Sequence, residues 1–232
     1  MSITSRPAAT PSPAQPPLIA GQRLDRATFH ERYEALPPGA RAELIDGVVY
    51  MPSPVRSRHG RASVPPIVWL SYYEENTPGV EVLDNASVAL GPATEVQPDA
   101  FLQVMPTLGG QARDEEGIIF GAPELVVEVS HSTKRADLGP KLVEYELAGV
   151  QEYVIRLVEP DDVRWHARRE GKLALVAPDG DGLYRSSAFP GLWLDPRALL
   201  AGDMRRLRAV VDLGVATAEH AAWVAKLAAR RA

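Results

Sequence analysis

Residues 124–158 read ELVVEVSHSTKRADLGPKLVEYELAGVQEYVIRLV. Residues 124–129 form a short apolar run, as expected of a buried central strand. Residues 138–148 have helical spacing and are stopped by Gly149. Residues 152–158 form a second buried strand. A strand, a helix and a strand in this order predict two parallel strands joined by a right-handed crossover.

Working outward, residues 43–51 predict a β-hairpin. Asp46-Gly47 lies between two apolar runs, and both turn positions of such a hairpin want positive φ. Residues 28–36 predict a short helix stopped by Pro37-Pro38. A helix over 59–75 contains Pro65 and Pro66, which delay its start or kink it. Residues 80–90 predict a strand pair or one long bent strand. Residues 95–104 predict one strand, with Pro98 marking an irregularity or an edge. Residues 105–122 are polar and glycine-containing, and predict a loop. Residues 163–194 predict an antiparallel meander with turns at Glu170-Gly171 and Asp179-Gly-Asp-Gly182, and 203–230 an Ala-rich helical region. The predicted fold is α/β or α+β: a mixed central β-sheet flanked by helices, followed by a meander and a C-terminal helix. The division expected is a flexible proline-rich tail over 1–22, a domain over 23–200 and a helical extension over 201–232.

The 232 residues are 45% hydrophobic, enough for one sizeable core. The formal charge is −5, whereas a salt-driven nucleic-acid binder is usually basic over its binding face. Any nucleic-acid contact must therefore come from a local patch or a metal. There is no cysteine, which rules out disulfides, thiolate metal sites and cysteine nucleophiles and fits a reducing, cytoplasmic setting. No apolar run approaches the roughly 18–20 residues of a membrane span. No signal peptide is read at 1–22.

Three residues stand out chemically. Asp99 follows a proline within an otherwise apolar segment. Its carboxylate is costly to bury unless paired or liganded; the plainer reading is a strand-end acid facing solvent. Glu128 interrupts the apolar run 125–129 and wants a cation, either a metal or one of Lys134, Arg135 and Lys141. Lys141 and Tyr145 are four residues apart and share a helix face; the plainer reading of Lys141 is a solvated partner of Glu144 or Glu146. Two carboxylates can hold Mg²⁺ or Mn²⁺, which takes one or two carboxylates plus water and phosphate oxygens, and a lysine can hold the attacking water or stabilise charge on the phosphate. Ser130, Ser132 and Thr133 can cap the following helix or order the loop. His131 reads as solvent-facing.

Glu43-Leu-Ile-Asp-Gly47, His59, Gln97-Pro98-Asp99, Glu128-Val-Ser-His-Ser-Thr133, Asp137, Lys141, Tyr145 and Gly149-Val-Gln-Glu-Tyr153 together resemble the Uma-type restriction endonuclease family of the PD-(D/E)XK nuclease superfamily. The resemblance covers roughly residues 25–200, and Phe189-Pro-Gly-Leu-Trp-Leu-Asp195 extends it. It implies a restriction-endonuclease-like sheet with flanking helices and Asp99 and Glu128 as metal ligands, with Glu43 supporting the site. The superfamily's lysine lies two residues after the second acid, where this chain has Ser130. The resemblance implies that Lys141 on the following helix takes its place, with Tyr145 orienting Lys141 or a phosphate. His59, Arg58 and Arg61 are candidate phosphate contacts. The expected function is Mg²⁺-dependent hydrolysis of phosphodiesters, in DNA. The alternative is a nuclease-fold protein that binds nucleic acid or a protein partner without cutting. The apolar C-terminal helix predicts packing on the domain or a homodimer contact.

Overall fold

In the computed structural model, which describes residues 16–52, 56–131 and 133–230, α1 (Arg26–Glu34) leads into β1 (Glu43–Ile45) and β2 (Val48–Tyr50). Next come α2 (Ser57–Glu75), β3 (Val80–Leu83), β4 (Val88–Gly91), β5 (Thr94–Val96) and β6 (Ala100–Val104). A 3-10 turn at Pro106–Leu108 precedes β7 (Arg113–Glu115), β8 (Ile118–Phe120) and β9 (Leu125–Ser130). A single helical turn, α3 (Lys134–Asp137), is followed by α4 (Pro140–Ala148) and β10 (Glu152–Leu157). The chain finishes with β11 (Asp162–Arg169), β12 (Lys172–Val176), β13 (Tyr184–Arg185), β14 (Trp193–Leu194), α5 (Pro196–Ala201), α6 (Met204–Val215) and α7 (Ala218–Ala229).

The predicted strand–helix–strand unit is the centre of this arrangement. β9 and β10 pair in parallel, from Leu125↔Glu152 to Ser130↔Leu157, and every residue of both is buried. They lie inside a six-stranded sheet of order β12-β11-β10-β9-β6-β3. Alternate residues serve opposite faces, as the two-residue strand period demands. Val127, Val154, Ala100 and Leu102 enter one core with Trp69, Leu70 and Tyr73 of α2 and Leu207 and Val211 of α6. Val126, Tyr153, Ile155 and Phe101 enter a second core with Tyr145 of α4.

Where one central sheet was expected there are two. The second has the order β2-β1-β5-β4-β8-β7. Two segments are divided between the sheets: 95–104, read as one strand, and 80–90, read as a strand pair or one bent strand. Residues 95–104 split at Gln97-Pro98-Asp99, with β5 in one sheet and β6 in the other. Proline has no N–H for a ladder, so a central strand cannot run through it. Residues 80–90 split likewise into β3 and β4, around Asn85 at φ 52°. The predicted loop 105–122 contains the hairpin β7–β8, whose turn residues Glu116 and Gly117 have φ 56° and 89°. β7 is exposed throughout, so it carries no apolar alternation to reveal it.

The β1–β2 turn is as predicted, with Asp46 and Gly47 at φ 48° and 72°. In α2 the two prolines are buried and the helix begins at Ser57, ahead of them. The predicted C-terminal helical region is two helices, with the Thr217 side chain accepting from the His220 backbone at the start of α7. The apolar face of α6 packs on α2. Within the segment expected to be a tail, residues 1–15 lie outside the described residues. Leu18 is buried with Phe29, Leu44 and Val49, and the Gly21 N–H donates to the Val49 carbonyl.

Helix α6 meets the loop before β14 backbone to backbone. A Cβ on Gly214 would lie 2.0 Å from the Gly191 carbonyl oxygen, a distance no relaxation of side chains can relieve. Gly214→Ala is expected to destabilise by about 1–3 kcal/mol, lowering Tm by about 2–4 °C per kcal/mol. An unchanged Tm in thermal denaturation would contradict this packing.

Candidate active site

The interruption at Pro98 leaves Asp99 just ahead of β6. β6 and β9 pair antiparallel with Ala100 opposite Val127. Asp99, the residue before Ala100, lies close enough to Glu128 to raise its carboxyl. The bond from the Val129 N–H to Asp99 Oδ2, 2.7 Å, fixes the acid at this point. Glu43 arrives on the β1 hairpin, where its Oε1 accepts from the Gln97 N–H at 2.8 Å. Pro140 opens α4 at its first helical position, a place where a missing N–H costs nothing. Lys141 and Tyr145 then face inward together.

These elements meet at one ammonium group. Lys141 Nζ lies 2.8 Å from Glu43 Oε1, 2.8 Å from Glu128 Oε1 and 3.7 Å from Asp137 Oδ1. The Tyr145 hydroxyl donates to Glu128 Oε1 at 2.9 Å. The Thr133 hydroxyl donates to Asp137 Oδ2 at 2.6 Å. His59 Nε2, from the first turn of α2, lies 3.2 Å from Asp99 Oδ1. Only this outer pair reaches solvent to a useful degree: the His59 and Asp99 side chains are 18% and 14% exposed, against 2% for Lys141.

The electrostatics follow from burial. Desolvation pushes the Glu128 carboxyl well above its ordinary range; Lys141 opposes the shift, while Asp137, Asp99 and Glu43 add to it. Asp99 is raised by burial against its bond from Val129 and the attraction of His59 and Lys141. Asp137 is raised by burial in the same way, with Lys141 opposing. Burial lowers the pKa of Lys141, but Glu128, Glu43 and Asp137 together hold it well above the ordinary value. Lys141 is therefore a fixed cation shared among more carboxylates than it can neutralise.

The structure thus gathers Glu43, Asp99, Glu128, Lys141, Tyr145 and His59 into one cluster. Three placements differ from expectation. Tyr145 is fully buried and orients Glu128 rather than Lys141 or a phosphate. His59 meets Asp99. Arg58 and Arg61 stand outside the cluster: Arg58 pairs with Glu159 at 3.1 Å and Arg61 lines a neighbouring groove. Of the three cations considered for Glu128, only Lys141 pairs with it; Lys134 Nζ donates to the Glu159 carbonyl. Ser130 is buried, the Thr133 hydroxyl orders Asp137 instead of capping a backbone N–H, and Ser132 lies outside the described residues. Two residues at the site, though named in the sequence reading, were given no such role there. Asp137 sits four residues before Lys141, a helical spacing that would have found it. Arg135 lines a cleft of about 210 Å³ over Glu43, beside Tyr50 and Thr133, and no local pattern distinguishes it from any exposed arginine.

The donor set suits a hard divalent cation. All the candidate ligands are carboxylate oxygens, the buried Asp137 Oδ1 has no hydrogen-bond partner, and the cluster holds excess negative charge. Among the described residues, no three Asp, Glu or His side chains form a ready metal cage, because the carboxylates are drawn in around Lys141. Mg²⁺ needs only one or two protein carboxylates, so the residues fit the ion without such a cage.

A family model, Uma2, described as "Putative restriction endonuclease", matches residues 28–197. Among solved structures, a putative nuclease of DUF820 from Anabaena variabilis ATCC 29413 superposes with a TM-score of 0.52 at 13% sequence identity. The match covers 78% of this chain and 97% of that one, and it shows the fold. No curated protein matches.

Lys141→Met leaves Glu43, Glu128 and Asp137 buried without their cation. The expected loss is about 3–5 kcal/mol near pH 7 in urea unfolding. Acids with raised native pKa bind more protons folded than unfolded, so their contribution to stability falls as pH rises above the ordinary values of 3.8 for Asp99 and Asp137 and 4.5 for Glu128. Without the ammonium these pKa values climb further. The deficit of the variant should therefore shrink on acidification towards about pH 5; an equal deficit at both pH values would count against the shared ion pair.

Proposed function

We propose that this chain, which belongs to the Uma2 family described as "Putative restriction endonuclease", is a metal-dependent endonuclease that hydrolyses phosphodiester bonds in DNA. Family and fold support a nuclease. The finer reading is carried by one observation: Asp99 accepts from the Val129 N–H, next to Glu128, and the Lys141 ammonium lies 2.8 Å from Glu128.

Asp99 and Glu128 are the proposed ligands, with Glu43 in support. Mg²⁺ or Mn²⁺ bound there would neutralise charge on the phosphate and ease deprotonation of a water. The remaining roles belong to the chain's own groups. The carboxylates around Lys141 favour its charged form, so it serves as a donor and a positive charge. Its hydrogen-bonding reach holds Glu43 and Glu128 in place, and its charge favours negative charge growing on the phosphate. Tyr145 fixes the orientation of Glu128. His59 holds Asp99 Oδ1 at the solvent-facing edge, where a phosphate would arrive. Arg135, exposed over the cleft at Glu43, is placed to meet the same phosphate.

A second reading, a nuclease-fold protein that binds nucleic acid or a protein partner without cutting, draws on the position of Lys141. Its ammonium already sits among the carboxylates that a metal would need. Two measurements separate the readings. Purified protein with Mg²⁺ or Mn²⁺ should cleave DNA, with RNA as the comparison substrate. Asp99→Ala and Glu128→Ala should each lower the rate by about 10²-fold or more. Calorimetric titration with Mn²⁺ should show binding that Glu128→Ala abolishes. Cleavage that survives Asp99→Ala, or none by the wild type, would sink the catalytic reading.

A further inference from the structure

Beside the cluster runs a groove of about 500 Å³ between α2, the end of β10 and the α5–α6 turn. Its size falls within the roughly 300–1,000 Å³ typical of ligand clefts. Three guanidinium groups line it, from Arg58, Arg61 and Arg156, with Asp161 as the one acid. In a chain of charge −5 this is a local positive concentration. Much of the remaining lining is apolar, including Pro65, Leu199 and Met204.

The groove lies beside His59 of the candidate site. His59, which touches Asp99, stands between Arg58 and Arg61 on the first turns of α2. Arg156 on β10 pairs in register with Val129, so it faces α2, on the side of the sheet away from Glu128. The link between the groove and the candidate site is therefore His59, which reaches the Asp99 edge.

Two of the three arginines, Arg58 and Arg61, are also available. Arg156 is only 5% exposed. Its Nη2 lies 2.6 Å from Asp161 Oδ1, and its buried Nε has no hydrogen-bond partner. Its Nη1 donates to the Leu157 carbonyl, so Arg156 is held in the wall of the groove and lends it charge. Arg61 is exposed and has no ion pair or hydrogen bond among the described residues. The Arg58–Glu159 pair is exposed on both sides, so it is weak and readily exchanged.

We propose that this groove seats an unstacked nucleotide of a single strand, next to the phosphodiester addressed by Asp99 and Glu128. This rests on the nuclease reading above. The arginines take the backbone phosphate, and the apolar floor takes a base face. A duplex offers its phosphates on a convex surface and keeps its base faces stacked, so it reaches the rim and not the floor. A concave, arginine-rimmed, apolar-floored groove therefore selects the single strand.

The test is fluorescence anisotropy in EDTA, with a short labelled oligothymidylate and the matching duplex. Wild type is compared with Arg58→Glu/Arg61→Glu, both exposed positions, and with Arg156→Met, whose folding is checked by thermal denaturation. The single strand should bind about tenfold or more tightly than the duplex. The double variant should bind about tenfold or more weakly, and its salt dependence should be shallower by roughly 0.7 for each phosphate it no longer neutralises. Equal affinity for the duplex, no binding of the single strand, or unchanged binding by the double variant would each overturn the proposal. Cleavage with Mg²⁺ or Mn²⁺ is assayed separately. Binding that needs the arginines in a protein that never cuts leaves the groove standing and removes the nuclease; cleavage by a protein whose binding ignores the arginines does the reverse.

Discussion

The candidate site depends on one buried ammonium. Lys141 binds Glu43 from a hairpin, Glu128 from a central strand and Asp137 from a helical turn, and none of these acids is near another in sequence. Without the cation, several carboxylates in one water-poor space would repel one another and their elements would separate. Such a network is not a large source of net stability, since desolvation opposes the attraction. What it supplies is geometry. The ring of acids closes only when β1, β9, α3 and α4 take one relative arrangement.

That arrangement requires the chain to pass from one sheet to the other, and Pro98 marks the passage. On its N-terminal side β5 pairs with β1, which brings the Gln97 N–H to Glu43. On its C-terminal side β6 pairs with β9, which brings Asp99 to the Val129 N–H, beside Glu128. The backbone groups freed at the break are put to use: the Gln97 N–H holds one acid, and Asp99 accepts the Val129 N–H. The same interruption that ends the strands therefore builds the site between them.

The clearest sequence signals were those whose physics is local. The apolar runs 125–129 and 152–158, the Asp46-Gly47 turn and the Gly149 stop each reflect a rule confined to a few residues. Asp99, Glu128 and Lys141 were legible as an acid after proline, an acid within a buried strand and a lysine sharing a face with Tyr145. The hairpin β7–β8 escaped because its first strand is wholly exposed and shows no alternation. The division of 80–90 and 95–104 between two sheets escaped because propensity describes a strand and not its neighbour. Asp137 was visible in the motif but not as a partner of Lys141, since its importance comes from lying buried beside that ammonium.

By itself, the sequence determined the elements and the chemical types that meet: carboxylates, one inward lysine, a tyrosine on the same helix face and arginines on the first turns of α2. Periodicity, turn chemistry and the cost of burying charge act over short distances and can be read along the chain. Only the tertiary structure decided who pairs with whom. It gave Tyr145 to Glu128, His59 to Asp99, and Arg156 to a groove that no sequence window contains. Ion pairs and hydrogen bonds act over a few ångströms in space, and those distances are set by sheet register and helix packing between segments far apart in the chain.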